Sequence, residues 1–164
     1  KMDFNKTILA VVIASTGTAC TTVPSGSVYV AGLSKHTNSD HPNTYEGQMK
    51  YFGISRDFKR NDWLYENTVS TFVDSYRLRS YMLTSNISHE SWLYYGYLRP
   101  MIGLNCAYKG YSHDHDSRRW LCTPPLKLRV GKETGFFTNI MATPKIGDIT
   151  NGLIAAEIGY KHKW

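Results

Sequence analysis

The last twelve residues of the chain alternate in polarity, and this pattern restricts the fold more than any other feature of the sequence. Successive side chains of a β-strand point to opposite faces, so a strand here has one apolar and one polar face. The apolar series is Ile154, Ala156, Ile158, Tyr160, His162 and Trp164, and the opposite series is Leu153, Ala155, Glu157, Gly159, Lys161 and Lys163. Such alternation is typical of a membrane barrel, with lipid outside and a polar lumen inside, and also of a polar-faced edge strand in a soluble sheet.

The first twenty residues have the three-part layout of an export signal. Lys1 and Lys6 precede an apolar run at residues 8–14, and small residues follow up to Ala19. This run is shorter than the roughly 20 residues that a membrane-spanning helix needs. We therefore predict a signal peptide at residues 1–20 and a single domain at residues 21–164. The alternative is that the first twenty residues form a buried strand or helix.

The rest of the sequence indicates strands rather than helices. After residue 20 no apolar run approaches the length of a helical span, whereas barrel strands need only about 10 residues of alternating polarity. Turn-like stretches such as KRND, SNISHES and GKET separate the alternating segments. The predicted strands are Ser27–His36, Glu46–Phe58, Asp62–Ser75, Leu78–Ser85, Trp92–Tyr108, Trp120–Val130, Gly135–Ala142 and Leu153–Trp164. They predict an all-β fold, an eight-stranded antiparallel up-and-down barrel in the outer membrane of a Gram-negative cell.

Composition agrees with a membrane location and narrows the partners. The chain has 12 Tyr, and tyrosine pairs an apolar ring with a polar tip, as a membrane–water interface favours. The net charge is +6, with the basic residues scattered rather than clustered. No RNP-type motif, zinc spacing or basic helix is present, so we expect the basic residues to meet lipid phosphate rather than nucleic acid. A Tyr-rich soluble β-sandwich is the alternative.

The three cysteines divide into a pair and a single residue. Cys106 and Cys122 flank the polar stretch AYKGYSHDHDSRRWL, and in an oxidising envelope they can close a disulfide across the base of that loop. Three unrelated free thiols are the alternative. Cys20 follows the small residues 17–19, as in a bacterial lipoprotein signal, and is a candidate for lipidation. The alternating His and Asp of residues 113–116 are too weak a pattern to predict a metal site.

A histidine and an aspartate–serine pair fall at strand ends that an up-and-down barrel brings to one rim. His36 closes the first predicted strand, and Asp74 and Ser75 close the third. Strands one and three run in the same direction, so both ends reach the same side. A histidine can raise the nucleophilicity of a serine hydroxyl, and a carboxylate can orient the imidazole. His36, Asp74 and Ser75 are therefore the predicted catalytic residues, against the alternative of hydrogen-bonding residues at loop edges.

The stretch YFGISRDFKRNDWLYENTVSTFVDSY resembles the PagP-like lipid A palmitoyltransferase family of eight-stranded outer-membrane barrels. The matching motifs are residues 53–56, GISR, and residues 72–75, FVDS, with His36 some 40 positions before the serine. The resemblance implies transfer of a palmitoyl chain from a phospholipid to lipid A, with His36, Asp74 and Ser75 at the site and the acyl chain inside the barrel. It also implies that prolines such as Pro124 and Pro125 break strand pairing and admit lipid sideways.

The sequence leaves three functional hypotheses open. The first is the palmitoyl transfer that the family resemblance implies, with phospholipid and lipopolysaccharide as partners. The second is a non-enzymatic outer-membrane barrel or lipoprotein that binds a surface partner, for example a phage-encoded protein that blocks receptors. The third is a soluble lipocalin-like barrel with its apolar faces inward. We expect a monomer without a cofactor in each case.

Overall fold

The structure is a computed structural model that describes residues 25–36, 47–74, 77–110, 118–146 and 150–163. Within these ranges the chain is almost entirely β, apart from one 3₁₀ turn at Glu90–Trp92. The strands are β1 Ser25–His36, β2 Gly47–Met49, β3 Phe52–Arg60, β4 Trp63–Val73, β5 Arg79–His89, β6 Leu98–Lys109, β7 Arg119–Thr123, β8 Leu126–Gly131, β9 Gly135–Ile146 and β10 Thr150–Lys163. Within the described ranges, no helix is long and apolar enough to cross a membrane.

The sheet closes on itself into a barrel. All pairings are antiparallel: β1 pairs with both β2 and β3, β6 with both β7 and β8, and the other strands pair with their neighbours in sequence. β10 returns to pair with β1 along the whole of β1, from Ser25 opposite Lys163 to His36 opposite Leu153. The pairs β2/β3 and β7/β8 are each one wall segment with an interruption, so the ten strands make eight segments of wall. The prediction of an eight-stranded antiparallel up-and-down barrel is confirmed.

The two interruptions, between β7 and β8 and between β2 and β3, are each two residues long. Pro124 and Pro125 separate β7 from β8, and a proline has no N–H to donate to the ladder. β7 pairs with residues 105–109 of β6, whereas β8 pairs with residues 98–102 of β6 and also with β9. Lys50 and Tyr51 separate β2 from β3, and Tyr51 is buried in the interior. The sequence predicted each of these two segments as one continuous strand.

Two predicted boundaries are wrong. The stretch SNISHES was expected to be a turn, but β5 continues through it to His89. Asn86 and Ser88 are fully buried on the inner face, so these polar residues belong to a strand with a polar interior. The strand predicted from Trp92 begins instead at Leu98, because residues 94–98 form a tight turn that Tyr94 and Leu98 close with two backbone hydrogen bonds.

The apolar side chains of the strands point away from the barrel axis. In β10, Ile154 and Ile158 are 49% and 48% exposed, whereas Glu157 and Lys161 on the opposite face are 2% and 7% exposed. The same orientation holds around the wall for exposed apolar residues including Val28, Leu33, Ile54, Val69, Ile102, Leu104, Leu126 and Ile140. The wall is therefore apolar outside and polar inside, as the alternation in the last strand predicts.

The barrel has two unlike rims. We call the rim where β1 begins and β10 ends the terminus rim, and the opposite rim, where β1 and β4 end, the loop rim. At the terminus rim β3 and β4 are joined by two residues, β5 and β6 by eight, and β8 and β9 by three. At the loop rim the connections between β1 and β2 and between β6 and β7 have ten and nine residues, and the other two have five and three.

Candidate functional site

A cluster of charged side chains fills the middle of the barrel. We call this the interior cluster and define it by Glu66, Lys127 and Arg129, which come from β4 and β8 on facing parts of the wall. Lys127 Nζ lies 2.6 Å from Glu66 Oε1, and Arg129 Nη2 pairs with Glu66 Oε2. Asn86 Nδ2 also donates to Glu66 Oε1, at 3.3 Å. One fully buried carboxylate thus holds two buried cations.

Further polar contacts extend the interior cluster around the barrel. Arg129 Nε donates to Asn139 Oδ1 at 3.0 Å, and Asn139 Nδ2 donates to Glu157 Oε2 at 3.1 Å. Arg129 Nη2 also donates to the Tyr29 hydroxyl at 3.0 Å. The Arg129 guanidinium lies 4.2 Å from the centre of the Phe137 ring, within the range of a cation–π contact. These contacts connect β1, β8, β9 and β10 across the lumen.

A separate ion pair lies nearer the terminus rim. Lys161 Nζ is 2.6 Å from Asp57 Oδ2, and both side chains are buried. Buried charges are stable when they are paired and hydrogen-bonded. With Glu157, which the interior cluster reaches through Asn139, the basic and acidic side chains named here are three of each. The sequence prediction missed these residues as a group. The signal was present in the segment PLKLRV, residues 125–130, where Lys127 and Arg129 are two positions apart and therefore share a face.

The filled interior corrects one implication of the family resemblance. An acyl chain held inside the barrel needs an apolar channel, and the middle of this barrel is occupied by Glu66, Lys127 and Arg129 instead. A chain passing through this level would have to displace these ion pairs, and an unpaired buried charge costs several kcal/mol. The interior of this barrel is therefore not a chamber for a hydrocarbon chain at that level.

The structure puts two of the three predicted catalytic positions at the loop rim. β1 and β4 run in the same direction, because each is antiparallel to β3. His36 is the last residue of β1, and Asp74 directly follows the last residue of β4. Of His36 the backbone alone is described, and Ser75 lies outside the described residues. The predicted catalysis by these residues stays a prediction.

Asp74 organises the turn between β4 and β5. Its Oδ1 accepts from the Leu78 N–H at 2.9 Å, and its Oδ2 accepts from the Ser80 hydroxyl at 2.7 Å. Oδ2 also accepts from the Gly110 N–H at 3.0 Å, which ties the turn to the end of β6. Both carboxylate oxygens therefore stabilise local structure at the rim.

A fork in the sheet opens on the outer wall where β7 diverges from β9. Among the described residues, β7 pairs with β6 and with no strand on its other side. A groove of about 770 Å³ lies at this fork and is lined by apolar residues, including Ile102, Pro124, Leu126, Pro144 and Ile154. The proline break predicted at Pro124 and Pro125 is thus present, and the groove beside it faces outward.

The structure joins Cys106 and Cys122 in a disulfide with an S–S distance of 2.06 Å. The two residues lie directly opposite each other on β6 and β7. The disulfide therefore tethers β7 to the strand with which it pairs. Cys20 and the predicted signal lie outside the described residues, as do residues 113–116. No group of three metal-ligating side chains occurs within the described ranges.

The terminus rim carries an aromatic and charged cluster of its own. The ring of Trp63 contacts the rings of His89 and Trp92 edge-on, with centroid distances of 4.9 Å and 5.8 Å. Lys59, on β3, pairs with Glu90, which lies in the same 3₁₀ turn as Trp92. The hydrogen bond from the Lys59 ammonium holds the pKa of the exposed Glu90 carboxyl below its ordinary value. Aromatic side chains at a barrel rim are typical of the membrane–water interface.

Comparison with solved structures identifies the type of fold. The structure matches that of Neisserial surface protein A with a TM-score of 0.50 and 10% sequence identity, over 87% of this chain and 98% of that one. The fold is that of an outer-membrane β-barrel. Its outward apolar wall agrees with a location in the cell outer membrane.

Two further structures match with lower scores. The N-terminal β-barrel domain of Pseudomonas aeruginosa OprF has a TM-score of 0.49 and 12% identity, over 84% of this chain and 97% of that one. The Yersinia pestis outer membrane protein Ail has a TM-score of 0.46 and 15% identity, over 85% and 98%. No family model and no curated protein sequence matches the chain. The resemblance to lipid A palmitoyltransferases therefore depends on the quoted motifs alone.

Proposed function

We propose that this chain is a non-enzymatic outer-membrane barrel that presents the connections at its loop rim to a partner at the cell surface. The observation that carries the proposal is the combination of an apolar outer wall with a lumen filled by the interior cluster. The wall suits hydrocarbon on every side, so the barrel is built to be surrounded by lipid. The filled lumen supports a role as a rigid scaffold for loops rather than as a pore or a substrate chamber.

The rims support an orientation in the membrane. Outer-membrane barrels have short periplasmic turns and longer extracellular loops. The terminus rim has connections of two, eight and three residues, and the loop rim has connections of ten, five, nine and three residues, so the two longest connections are at the loop rim. We therefore orient the loop rim toward the outside of the cell and the terminus rim toward the periplasm.

The bonds of Asp74 also favour a structural role at the rim. Its two oxygens accept three hydrogen bonds from Leu78, Ser80 and Gly110. These bonds stabilise the turn and connect it to the end of β6.

Palmitoyl transfer from a phospholipid to lipid A by His36, Asp74 and Ser75 is the second candidate. The fork favours it, because the groove beside Pro124 and Pro125 offers an apolar surface to a lipid chain on the outer wall. The shared rim of β1 and β4 also favours it, since His36 and Asp74 end up on the same side of the membrane. In a site of this kind the acyl chain of the lipid would lie along the outer wall and not in the lumen.

Mass spectrometry of lipid A separates the two candidates. Cells expressing the wild-type chain, the Asp74→Asn variant and the Ser75→Ala variant are compared with cells lacking the gene. We expect the same lipid A masses in all four. A gain of one palmitoyl group in the wild type that disappears in Ser75→Ala would overturn the non-enzymatic proposal and establish the acyltransferase.

A second experiment tests the presentation of loops. Single cysteines are introduced at Arg77, on the loop rim, and at Lys132, on the terminus rim, in a chain whose own cysteines are replaced by serine. An impermeant maleimide should label the Arg77→Cys variant on intact cells and the Lys132→Cys variant only after lysis. Adsorption of a panel of phages is then compared between cells that express the wild type and cells that lack it, and we expect weaker adsorption of at least one phage to the former. A variant with residues 111–117 replaced by Gly and Ser should lose this effect. Unchanged adsorption across the panel would contradict receptor blocking.

A further inference from the structure

A row of three aromatic side chains crosses the outer wall near the loop rim. Tyr81 on β5 lies opposite Tyr108 on β6, and Tyr108 lies opposite Trp120 on β7. The rings of Tyr108 and Trp120 have their centroids 5.6 Å apart. Tyr81 and His89 are eight positions apart on β5, which corresponds to roughly 27 Å of strand. A tilt of about 40° reduces this to about 20 Å, slightly less than the roughly 25 Å apolar band of such barrels, so the row and the terminus-rim aromatics lie near its two edges.

Two arginines lie just beyond this row, on its loop-rim side. Arg79 precedes Tyr81 by two positions on β5, is exposed, and donates from Nη1 to Thr71 Oγ1 at 3.3 Å. This bond uses one of five guanidinium donors and keeps the side chain on the outer wall. Arg118 precedes Trp120 by two positions, and its Nε is buried without a hydrogen-bond partner. Both arginines thus flank the aromatic row at the level where headgroups begin.

No acidic side chain opposes the two arginines within the described part of the loop rim except Asp74. The carboxylate of Asp74 is directed to Leu78, Ser80 and Gly110 of its own turn and of β6. The described part of the outer wall at this height is therefore basic. A basic surface bordered by aromatic rings complements an anionic headgroup whose chains enter the membrane.

The disulfide holds this surface together. Cys106 and Cys122 are two positions below Tyr108 and Trp120 on the same two strands. Because β7 pairs only with β6 in the described structure, the disulfide fixes the position of Trp120 and Arg118 relative to Tyr108. A preorganised surface loses less conformational entropy when it binds a ligand.

We propose that Arg79, Arg118, Tyr81, Tyr108 and Trp120 form a binding site for a phosphate group of lipid A in the outer leaflet. The guanidinium groups bind the phosphate oxygens, and the aromatic row contacts the sugar and the upper part of the acyl chains. The proposal rests on the proposed orientation of the loop rim toward the outside, because lipid A is the anionic lipid of that leaflet.

Binding is measured on the folded, oxidised barrel in zwitterionic detergent, with lipid A of known phosphate content as the probe. The arms are bisphosphorylated lipid A, dephosphorylated lipid A, phosphatidylglycerol and inorganic phosphate. We expect Arg79→Gln/Arg118→Gln to bind bisphosphorylated lipid A at least about 10-fold more weakly. We expect the same loss for wild type with the dephosphorylated form. Arg60→Gln/Lys132→Gln at the terminus rim is the matched control and should bind within about twofold of wild type.

Several results would overturn the proposal. Equal affinity of the double arginine variant and wild type would remove these arginines from the site. Equal affinity for phosphatidylglycerol or inorganic phosphate would show general anion binding instead of a lipid A site. Cys106→Ser/Cys122→Ser should also weaken binding while the barrel stays folded, and unchanged affinity would contradict the role of the disulfide. Heat-dependent gel mobility, measured on every sample, reports folding, so failure of the barrel itself is distinguished from failure of this site.

Discussion

The interior cluster gives the sharpest quantitative test of the structure. In Glu66→Ala the carboxylate is lost, and the buried Lys127 and Arg129 keep their charges without their shared partner. Removing one member of a buried ion pair costs about 3–5 kcal/mol, because the remaining charge stays desolvated and unpaired. Here one substitution removes the ion-pair partner of two cations, so we expect a loss at the upper end of that range, about 5 kcal/mol. With a urea dependence of about 2 kcal/mol/M, the unfolding midpoint falls by roughly 2.5 M.

The assay is reversible urea unfolding in lipid vesicles, followed by tryptophan fluorescence and by heat-dependent gel mobility. Asn67→Ala is the matched control, since Asn67 is the next residue on β4 and lies on the outer face. We expect this control to change the unfolding free energy by less than about 0.5 kcal/mol. A Glu66→Ala loss below about 1 kcal/mol would refute the idea that the lumen is closed by a charge cluster.

A double variant separates charge balance from lost packing. Glu66→Gln keeps the side-chain volume but removes the charge, and Lys127→Met removes one of the two cations. If the cluster is held by charge balance, the double variant should be more stable than the sum of the two single changes predicts. We expect a coupling free energy of about 1–3 kcal/mol. Strict additivity would show that the two side chains act independently.

Three more variants test other parts of the barrel. Gly103→Ala should destabilise the barrel by about 1–3 kcal/mol in the same unfolding assay, because its Cβ would overlap the backbone oxygen of Ser85 and Asn86 Oδ1. Ile158→Arg places a charge on the lipid-facing wall and should cost about 2–4 kcal/mol in vesicles, whereas no loss would show that this face does not meet hydrocarbon. The pKa of Glu90, followed by NMR titration, should be below its ordinary value and should rise in Lys59→Met. An unchanged pKa in that variant would exclude the Lys59 ammonium as the cause.

The sequence was sufficient to predict the architecture because a lipid-facing strand has a clear alternation of apolar and polar residues. Ile154, Ile158 and Tyr160 alternate with Glu157 and Lys161, and a period of two assigns each set to one face without any knowledge of the partner strands. The antiparallel order then follows from short connections, and so does the shared rim of His36 and Asp74. The prediction of rim positions needed only the number and direction of strands.

The sequence was insufficient where polar residues have two possible meanings. Asn86 and Ser88 look like part of a turn, and the structure buries both inside the wall. Polar residues are common in turns and also face the lumen of a barrel, so local composition does not separate the two cases. The same ambiguity concealed the interior cluster, because Glu66, Lys127 and Arg129 are charged residues that single-strand patterns place only on a polar face.

The sequence by itself determined the wall of this protein, that is, which side chains meet lipid and how the strands follow one another. The tertiary structure alone decided what fills the lumen and how the wall opens beside the proline break. Glu66 meets Arg129 across the barrel at a separation of 63 residues, and among the described residues β7 pairs with β6 and with no strand toward β9. The physical reason is that period and turn chemistry are local properties, whereas charge pairing across a lumen and the closure of a sheet depend on residues far apart in the chain.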